Sequence, residues 1–547
     1  MERIILGLSL GFNSSACVYS DERGLLAAIS QERLNGEKNT KELPLLAAKE
    51  CCRVAGIDTI DKIAISHYEQ ITDRYFERYG EKYNLAASAW ENKIISYLVG
   101  NDIRVNNTDI ARIEHHIAHA FSTFAFYGHA KTGDYIITSD GFGDGISAAI
   151  SRVGYGSITS LPLENSTALI YQFVTGALGY KEHQHEGKIT GLAAFGKPKY
   201  LAEFEDINIY RYSLTDEELK QVKESAIIDF DKFLLLKKAV YGLVEKLLSD
   251  GAEPKVIAAT VQEFAEIHTL EWIKTNVSAT GHNCYLAGGL FANVKINQRI
   301  KDMGTFKNVY VCPAMGDEGT AVGAAIALSG KNCSTKISPN RCGTIADETI
   351  IGDTMSGDRV TRIESDEELA TAIASRLADN KIVCLVKDEM EFGPRALCHR
   401  SILYNCDTKE TNTWLNDKLG RTEFMPFAPV CREEVADDLF KNLDGGRDSA
   451  KYMTMTFDCT EEFIQNYPAA CHIDNTARPQ IVSKNEDPFI WSVLDTYQNI
   501  TGKKALINTS FNLHNNPIIE STVVAVSSWL TSDTDVLVIG NTMIEKA

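Results

Sequence analysis

Two histidines four residues apart mark the first place where this 547-residue chain could do chemistry: Glu114-His115-His116-Ile117-Ala118-His119-Ala120. On a helix that spacing sets the imidazoles of His115 and His119 on one face, a turn apart. Two neutral imidazoles so placed can share one metal ion. Further on, Ser139-Asp140-Gly141-Phe142-Gly143-Asp144 ends one apolar run, and Gly316-Asp317-Glu318-Gly319 follows another. Each brings an aspartate to a glycine-rich turn, so Asp140 and Asp317 are expected to complete the ligand set. Two imidazoles with carboxylates suit Fe(II), Mn(II) or Zn(II). His116 points elsewhere on the helix and is expected to be structural or to support the ligands from behind.

Three glycine-rich turns, 139–143, 287–293 and 316–319, stand where strands should hand over to helices. Glycine lets backbone N–H groups approach phosphates. Ser139, Asp140, Gly141, Gly143, Gly288, Gly289 and Gly316 are therefore expected around a nucleotide, with Asn293 bonding its sugar or phosphate. Neither a Walker A pattern nor G-x-G-x-x-G occurs, which disfavours P-loop and Rossmann readings. The segment His185 to Gly196 starts with Glu186 and Lys188 and continues in small residues. It reads equally as a ligand-facing segment or as an ordinary helix start. In the C-terminal half, Arg395, His399 and Arg400 share a small-residue loop; Lys418, Arg421 and Arg478 follow, then Asn508-Thr509-Ser510. Arginine forks bind phosphate oxygens in pairs, and Ser or Asn can complete the cradle. In an acidic chain this set points to a local anion pocket.

The elements that must position these residues read as α/β. Residues 3–10, 16–19 and Leu25–Glu32 are three strands around the turn Gly11-Phe12-Asn13-Ser14-Ser15. Such a start matches the opening of actin-like ATPase folds. Helices are predicted at 44–56, 108–128, 167–178, 254–279 and 320–328. Strands are predicted at Tyr135–Ser139, Ile146–Val153, Ser157–Pro162, Cys284–Leu286 and Val309–Cys312. Residues 215–250, with Ile227, Phe230, Phe233, Leu234 and Val240 at helical spacing, read as a helical insert. The stretch 330–360 is polar and reads as a connection. It divides residues 1–345 from 361–547, with 346–360 as linker; the second part opens with a helix at 366–378 and a strand at 382–386. No internal repeat is apparent.

A net charge of −19 disfavours bulk attraction to polyanions or anionic membranes. No run approaches the ~20 apolar residues of a membrane helix, and the N-terminus reads straight into a strand. A cytoplasmic protein is expected. The thirteen cysteines are scattered, with no Cys-x-x-Cys pair, and read as reduced and structural.

Taken together, these residues resemble the O-carbamoyltransferase family that includes the nodulation-factor, cephalosporin and tobramycin carbamoyltransferases. The resemblance runs nearly end to end. Its most specific pieces are His115 to Ala120, Glu186-Gly187-Lys188 with Gly191-Leu192-Ala193, Gly288-Gly289 with Asn293, Gly316 to Gly319, Glu391 to Leu397 and Asn508 to Asn512. The family implies an actin-like (ASKHA) N-terminal domain, similar to the threonylcarbamoyl-transfer domain, that holds iron and ATP. It implies a smaller α/β YrdC-like C-terminal domain where carbamoyl phosphate is hydrolysed, with Arg395, His399, Arg400, Lys418, Arg421, Arg478, Asn508 and Ser510 as its expected contacts. The carbamate would pass to the N-terminal domain and react with ATP to give carbamoyl-adenylate, which an acceptor hydroxyl attacks. Arg395 and Arg400 are then the expected catalytic groups on the donor side.

The chain departs from the family pattern in informative places. Phe12 and Asn39 stand where relatives carry histidines, so the base that takes the acceptor's proton is unassigned; Lys38 and Asp140 are its candidates. Cys398, Lys387-Asp388-Glu389 and Met425 replace residues usual in the donor domain. The acceptor class stays open among natural-product, sugar and hydroxymethylated nucleobase hydroxyls, with DNA or nucleotide not indicated by charge. A homodimer is compatible with the sequence. Two other readings are a tRNA threonylcarbamoyltransferase, opposed by the fused C-terminal domain and the acidic charge, and a non-catalytic nucleotide-binding sensor.

Overall fold

The computed structural model describes residues 2–66, 90–128, 130–162, 166–209, 230–330, 337–351, 359–419, 425–513 and 515–546. Its first 330 residues build two five-stranded sheets of matching pattern. The first runs Gly24–Ser30, Ser15–Ser20, Ile4–Ser9, Lys62–Ile65 and Ile110–Arg112. The second runs Gly156–Pro162, Ile146–Arg152, Tyr135–Gly143, Cys284–Ala287 and Val309–Val311. In each, an antiparallel three-stranded meander is followed by two parallel strands. The strand Ile4–Ser9 is buried along its whole length, which its unbroken run of Ile, Leu and Gly permits.

Helices His115–Tyr127 and Thr320–Ser329 pack on one another between these sheets. Their approach depends on Gly323, where an added Cβ would run into the carbonyl oxygen of Ala118. Gly7 does the same for the first sheet, against Ala321 O. Small residues on the second helix thus hold the histidine helix close to both sheets.

The C-terminal half forms an eight-stranded sheet ordered Arg359–Arg362, Thr542–Glu545, Val536–Ile539, Val383–Val386, Arg400–Tyr404, Ala505–Ser510, Ala428–Arg432 and Gln480–Val482. Helices Asp366–Ala378 and Pro488–Thr501 pack together over a core that includes Leu369, Ile373, Val493 and Leu506. A second core runs without a break from the N-terminal sheets into the C-terminal half.

Several expectations are corrected by these contacts. The predicted helix 108–128 begins only at His115, because Ile110–Arg112 pairs in parallel with Lys62–Ile65. The strand predicted to end at Asp140 continues to Gly143, with a break in register between Ser139 and Gly143. The polar stretch expected to be a connection is packed over 337–351. Ala28 N–H donates to Cys342 O, Gly343 N–H donates to Met390 O, and Met390 N–H donates to Thr344 O. Its Ser338 and Asp347 cap short 3-10 turns, so polar composition there reports turn chemistry. Of the stretch 346–360, residues 346–351 lie in this packed segment and 359–360 begin the outer strand of the eight-stranded sheet. In the predicted helical insert, Phe230–Ser249 is helical; Ile227 lies outside the described residues. The described cysteines form no disulfide, and all but Cys471 are buried.

Candidate active site

Glu114 caps the histidine helix, its carboxylate accepting from the N–H groups of His116 at 3.0 Å and Ile117 at 2.7 Å. The start of the helix is thereby pinned, and His115 N–H donates to Asp144 at 2.8 Å. His115 Nε2 and His119 Nε2 come within 3.0 Å of each other, and each lies 3.1 Å from Asp140 Oδ2. Asp317 Oδ1 is 3.6 and 3.5 Å from the same nitrogens. One ligand atom from each of the four residues falls within 4.8 Å of the others. Asp140 reaches this point from the end of a central strand and Asp317 from the turn before Thr320–Ser329. Gly143 leaves the room: a Cβ there would collide with the ring of His115 and come within 2.9 Å of His116 Nε2.

Two nitrogen lone pairs facing each other at 3.0 Å require a shared cation or proton between them. Both imidazoles are buried, and Asp317 Oδ1 is buried without a hydrogen bond. The donor set therefore fits a divalent metal, with Fe(II), Mn(II) and Zn(II) all matching its chemistry. Without metal, burial opposes a charge on His119, but Asp140 and Asp317 outweigh it and raise its pKa to about 9. Burial likewise opposes ionisation of Asp140, yet the two imidazoles hold it well below the usual carboxylate range. His116 is structural, as expected. Its ring spans Thr138 Oγ1 at 2.9 Å and Ile146 O at 3.0 Å, and burial, with the neighbouring histidines, pushes its pKa down to about 3.

The glycine-rich turns meet at this set. Gly288, at φ 108°, lies against Ser139, and a Cβ on Gly289 would sit 3.0 Å from Asp140 Oδ1. Ser139 Oγ donates to Ser147 O, and Gly141 N–H donates to Asp140 Oδ1 at 2.6 Å. Gly316 borders the carboxyl of Glu318, whose burial raises its pKa to about 7. Asn293 differs from expectation. Its Oδ1 caps helix Val294–Asp302 and its Nδ2 donates to Gln262 at 2.9 Å, so the side chain serves the fold.

A cavity of ≈ 280 Å³ opens between the halves of the chain. Gly187, Thr190 and Gly191 line it from helix Glu186–Ala193, Val294 and Lys295 from the start of helix Val294–Asp302, and Arg395 and Arg478 from the C-terminal half. Desolvation lowers the pKa of Arg395 to about 10 and that of Arg478 well below the guanidinium range, Arg395 adding to the latter. Arg395 Nε is buried without a hydrogen bond. Two desolvated guanidinium groups in one cavity call for an anion. The loop carrying Arg395 is clamped by Glu391 Oε1, which accepts from Leu397 N–H at 2.8 Å and Arg400 N–H at 3.2 Å. Gly393, at φ 112°, seats that loop against Pro313, four residues before Asp317, and Arg33 donates to its carbonyl at 2.8 Å. The loop that carries Arg395 thus touches the segment that carries Asp317.

The other predicted donor contacts are not brought there. Arg400 is fully buried, its guanidinium donating to the carbonyls of Thr344, Lys387, Asp388 and His399. His399 is bonded to Lys387 O and Asp487. Lys418 pairs with Asp533 at the surface. Asn508 donates to Ala396 O at 3.0 Å and Gln480 at 2.6 Å, supporting the arginine loop from behind, and Ser510 Oγ donates to Asn512. Arg421 lies outside the described residues. Lys38 is exposed on the turn after Gln31–Asn35. Glu186 accepts from His183 N–H at 2.6 Å and burial raises its pKa to about 7; Lys188 is half-buried. Sequence reasoning missed Glu318, Gln172 and His183. Only the last had a visible signal, a second histidine two residues before His185.

Family models of the carbamoyltransferase N-terminus and C-terminus match residues 4–326 and 374–546. The chain belongs to the carbamoyltransferase family. It is 29% identical to the nodulation protein NolNO of Sinorhizobium fredii over 98% of this chain and 79% of that protein. It is 29% identical to the uncharacterized protein MJ1051 of Methanocaldococcus jannaschii over 99% and 100%. Among solved structures, component A of the Acidaminococcus fermentans (R)-2-hydroxyglutaryl-CoA dehydratase aligns with a TM-score of 0.36 and 12% identity, over 60% of this chain and all of that one. A likeness that loose carries no argument. No helix among the described residues is long and apolar enough to cross a membrane.

Proposed function

We propose that this chain is an ATP-dependent O-carbamoyltransferase that takes carbamoyl phosphate as donor. In this reading residues 1–345 are an actin-like domain for ATP and transfer, and 361–547 a YrdC-like donor domain. Carbamoyl phosphate is hydrolysed to carbamate, carbamate and ATP give carbamoyl-adenylate and pyrophosphate, and an acceptor hydroxyl displaces AMP. What supports it is the contact of the Arg395 loop, through Gly393, with Pro313, four residues before Asp317: the loop that lines the arginine cavity touches the segment that carries part of the His–Asp set. Carbamate decomposes in water, so short enclosed transfer between two such sites is what the chemistry needs.

Each of the chain's groups has a task in this reading. Arg395 and Arg478 bind the donor phosphate, and their own desolvation favours an anion between them. The absence of a side chain at Gly289 lets a nucleotide phosphate approach the backbone beside Asp140. His115, His119, Asp140 and Asp317 would hold a divalent ion, which would neutralise phosphate charge and orient the carbamoyl carbonyl. The test is to incubate the metal-loaded protein with ATP and carbamoyl phosphate. Pyrophosphate release that depends on both supports the reading; its absence sinks it.

A further inference from the structure

His183 carries a side chain at φ 64°, in the left-handed region that favours glycine. Its ring stacks on Phe12, with centroids 3.9 Å apart and planes at 21°, and Lys41 Nζ lies 3.4 Å from the centre of the Phe12 ring. Its N–H donates to Glu186 at 2.6 Å and its carbonyl accepts from Asn39 Nδ2. The backbone on both sides is therefore tied down while the residue stays exposed. An added Cβ on Gly141, next to Asp140, would lie 3.7 Å from Oε1 of Gln172, whose Nε2 is 3.2 Å from His183 Nε2, so one side chain separates His183 from the rim of the His–Asp set.

Its protonation is set from behind. Gln172 Nε2 lies 3.1 Å from Glu182 Oε2 and 3.2 Å from His183 Nε2. Glu182 receives Lys237 Nζ at 2.7 Å and Tyr241 OH at 2.5 Å, and these outweigh burial to hold its carboxyl below the usual range. Gly176 makes this packing fit, since a Cβ there would strike Tyr241 OH. A carboxylate only accepts, so Gln172 must turn its NH₂ toward Glu182. The second N–H of that group then faces His183 Nε2, which must be a lone pair. The proton of the neutral ring is on Nδ1. Desolvation, then Lys41, disfavour a second proton against the pull of Glu182, Asp317 and Asp140.

We propose that His183 is a hydrogen-bond donor to the carbamoyl acceptor, a neutral imidazole locked with its proton on Nδ1 that holds a second oxygen of a polyol- or sugar-like acceptor at the rim of the His–Asp set. It does not take the hydroxyl's proton, because its one lone pair is turned to Gln172. The proposal rests on the carbamoyl-transfer reading.

Two measurements test it. The first is long-range ¹H–¹⁵N correlation on the Zn(II)-loaded full chain with ¹⁵N-labelled histidine, assigned with His183→Asn. The expected spectrum has the His183 proton on Nδ1 across neutral pH, moving to Nε2 in Gln172→Glu. A proton on Nε2 in the wild type, or titration near the ordinary histidine pKa, overturns the lock. The second uses glycerol as hydroxyl probe at saturating ATP and carbamoyl phosphate. His183→Gly, which accepts the same φ, should raise the KM for glycerol about tenfold, the loss of one hydrogen bond, with a smaller change in kcat. His183→Asn, which keeps an amide N–H, should recover most of it. An unmoved KM, a loss confined to kcat, or no carbamoylation of glycerol by the wild type overturns the donor role. Pyrophosphate release by the wild type without glycerol judges the carbamoyl-transfer reading separately.

Discussion

Metal binding at the His–Asp set should displace a proton, and the proton is identifiable. In the metal-free protein His119 has a pKa of about 9 against an ordinary 6.5, because Asp140 and Asp317 outweigh its burial. The difference corresponds to about 3 kcal/mol of preference for the imidazolium. The shift is upward, so this contribution to metal-free stability is full below pH 6.5 and is lost as pH rises through about 9. A divalent ion needs the neutral ring and must expel that proton. Apparent affinity for Mn(II) or Zn(II) should therefore rise about tenfold per pH unit between 6.5 and 9 and level off above. Asp140, held well below the carboxylate range, stays ionised throughout and adds no slope. Calorimetric titration at pH 7.5 in buffers of different ionisation enthalpy should count about one proton released per ion. His119→Gln should abolish that release and weaken binding. No proton release at pH 7.5, or a flat affinity between pH 6.5 and 9, would refute the reasoning.

Three further outcomes are expected. Arg395→Ala or Arg478→Ala should raise the KM for carbamoyl phosphate about tenfold to a hundredfold in steady-state pyrophosphate release, the loss of a charge-assisted contact. Arg400→Ala should instead destabilise the fold by roughly 3 kcal/mol or more in denaturant unfolding, since it strips donors from four carbonyls, those of Thr344, Lys387 and His399 in buried contacts. Gly323→Ala should push the histidine helix off Thr320–Ser329, lowering thermal stability and metal affinity together; normal metal binding in that variant would contradict the close contact with Ala118.

Much of the site was legible because its signals are local. His115 and His119 lie on one helix, and each aspartate ends its own strand or opens its own helix, so spacing and turn chemistry expose them. The arginines were only half legible. Arg395 and Arg400 stand five residues apart and look alike as text, yet one lies in a loop that lines the cavity while the other opens a strand and holds four carbonyls. Asn293 looked like a ligand and is a helix cap, because Asn serves both tasks with the same atoms. The polar stretch before residue 360 looked like a linker because turns and linkers share a composition.

What the sequence determined by itself was therefore the class of chemistry and the local elements: an α/β chain, a His–Asp set, glycine-rich turns and an anion pocket. Residue type and short-range periodicity encode these without reference to the rest of the fold. Only the tertiary structure decided which groups share a volume. It brought Asp317 across nearly two hundred residues to His119, seated the Arg395 loop against Pro313, and set the His183 ring on Phe12 with Gln172 and Glu182 behind it. Those contacts follow from which strands pair and where glycines let backbones meet, and neither is written in the spacing of the residues concerned.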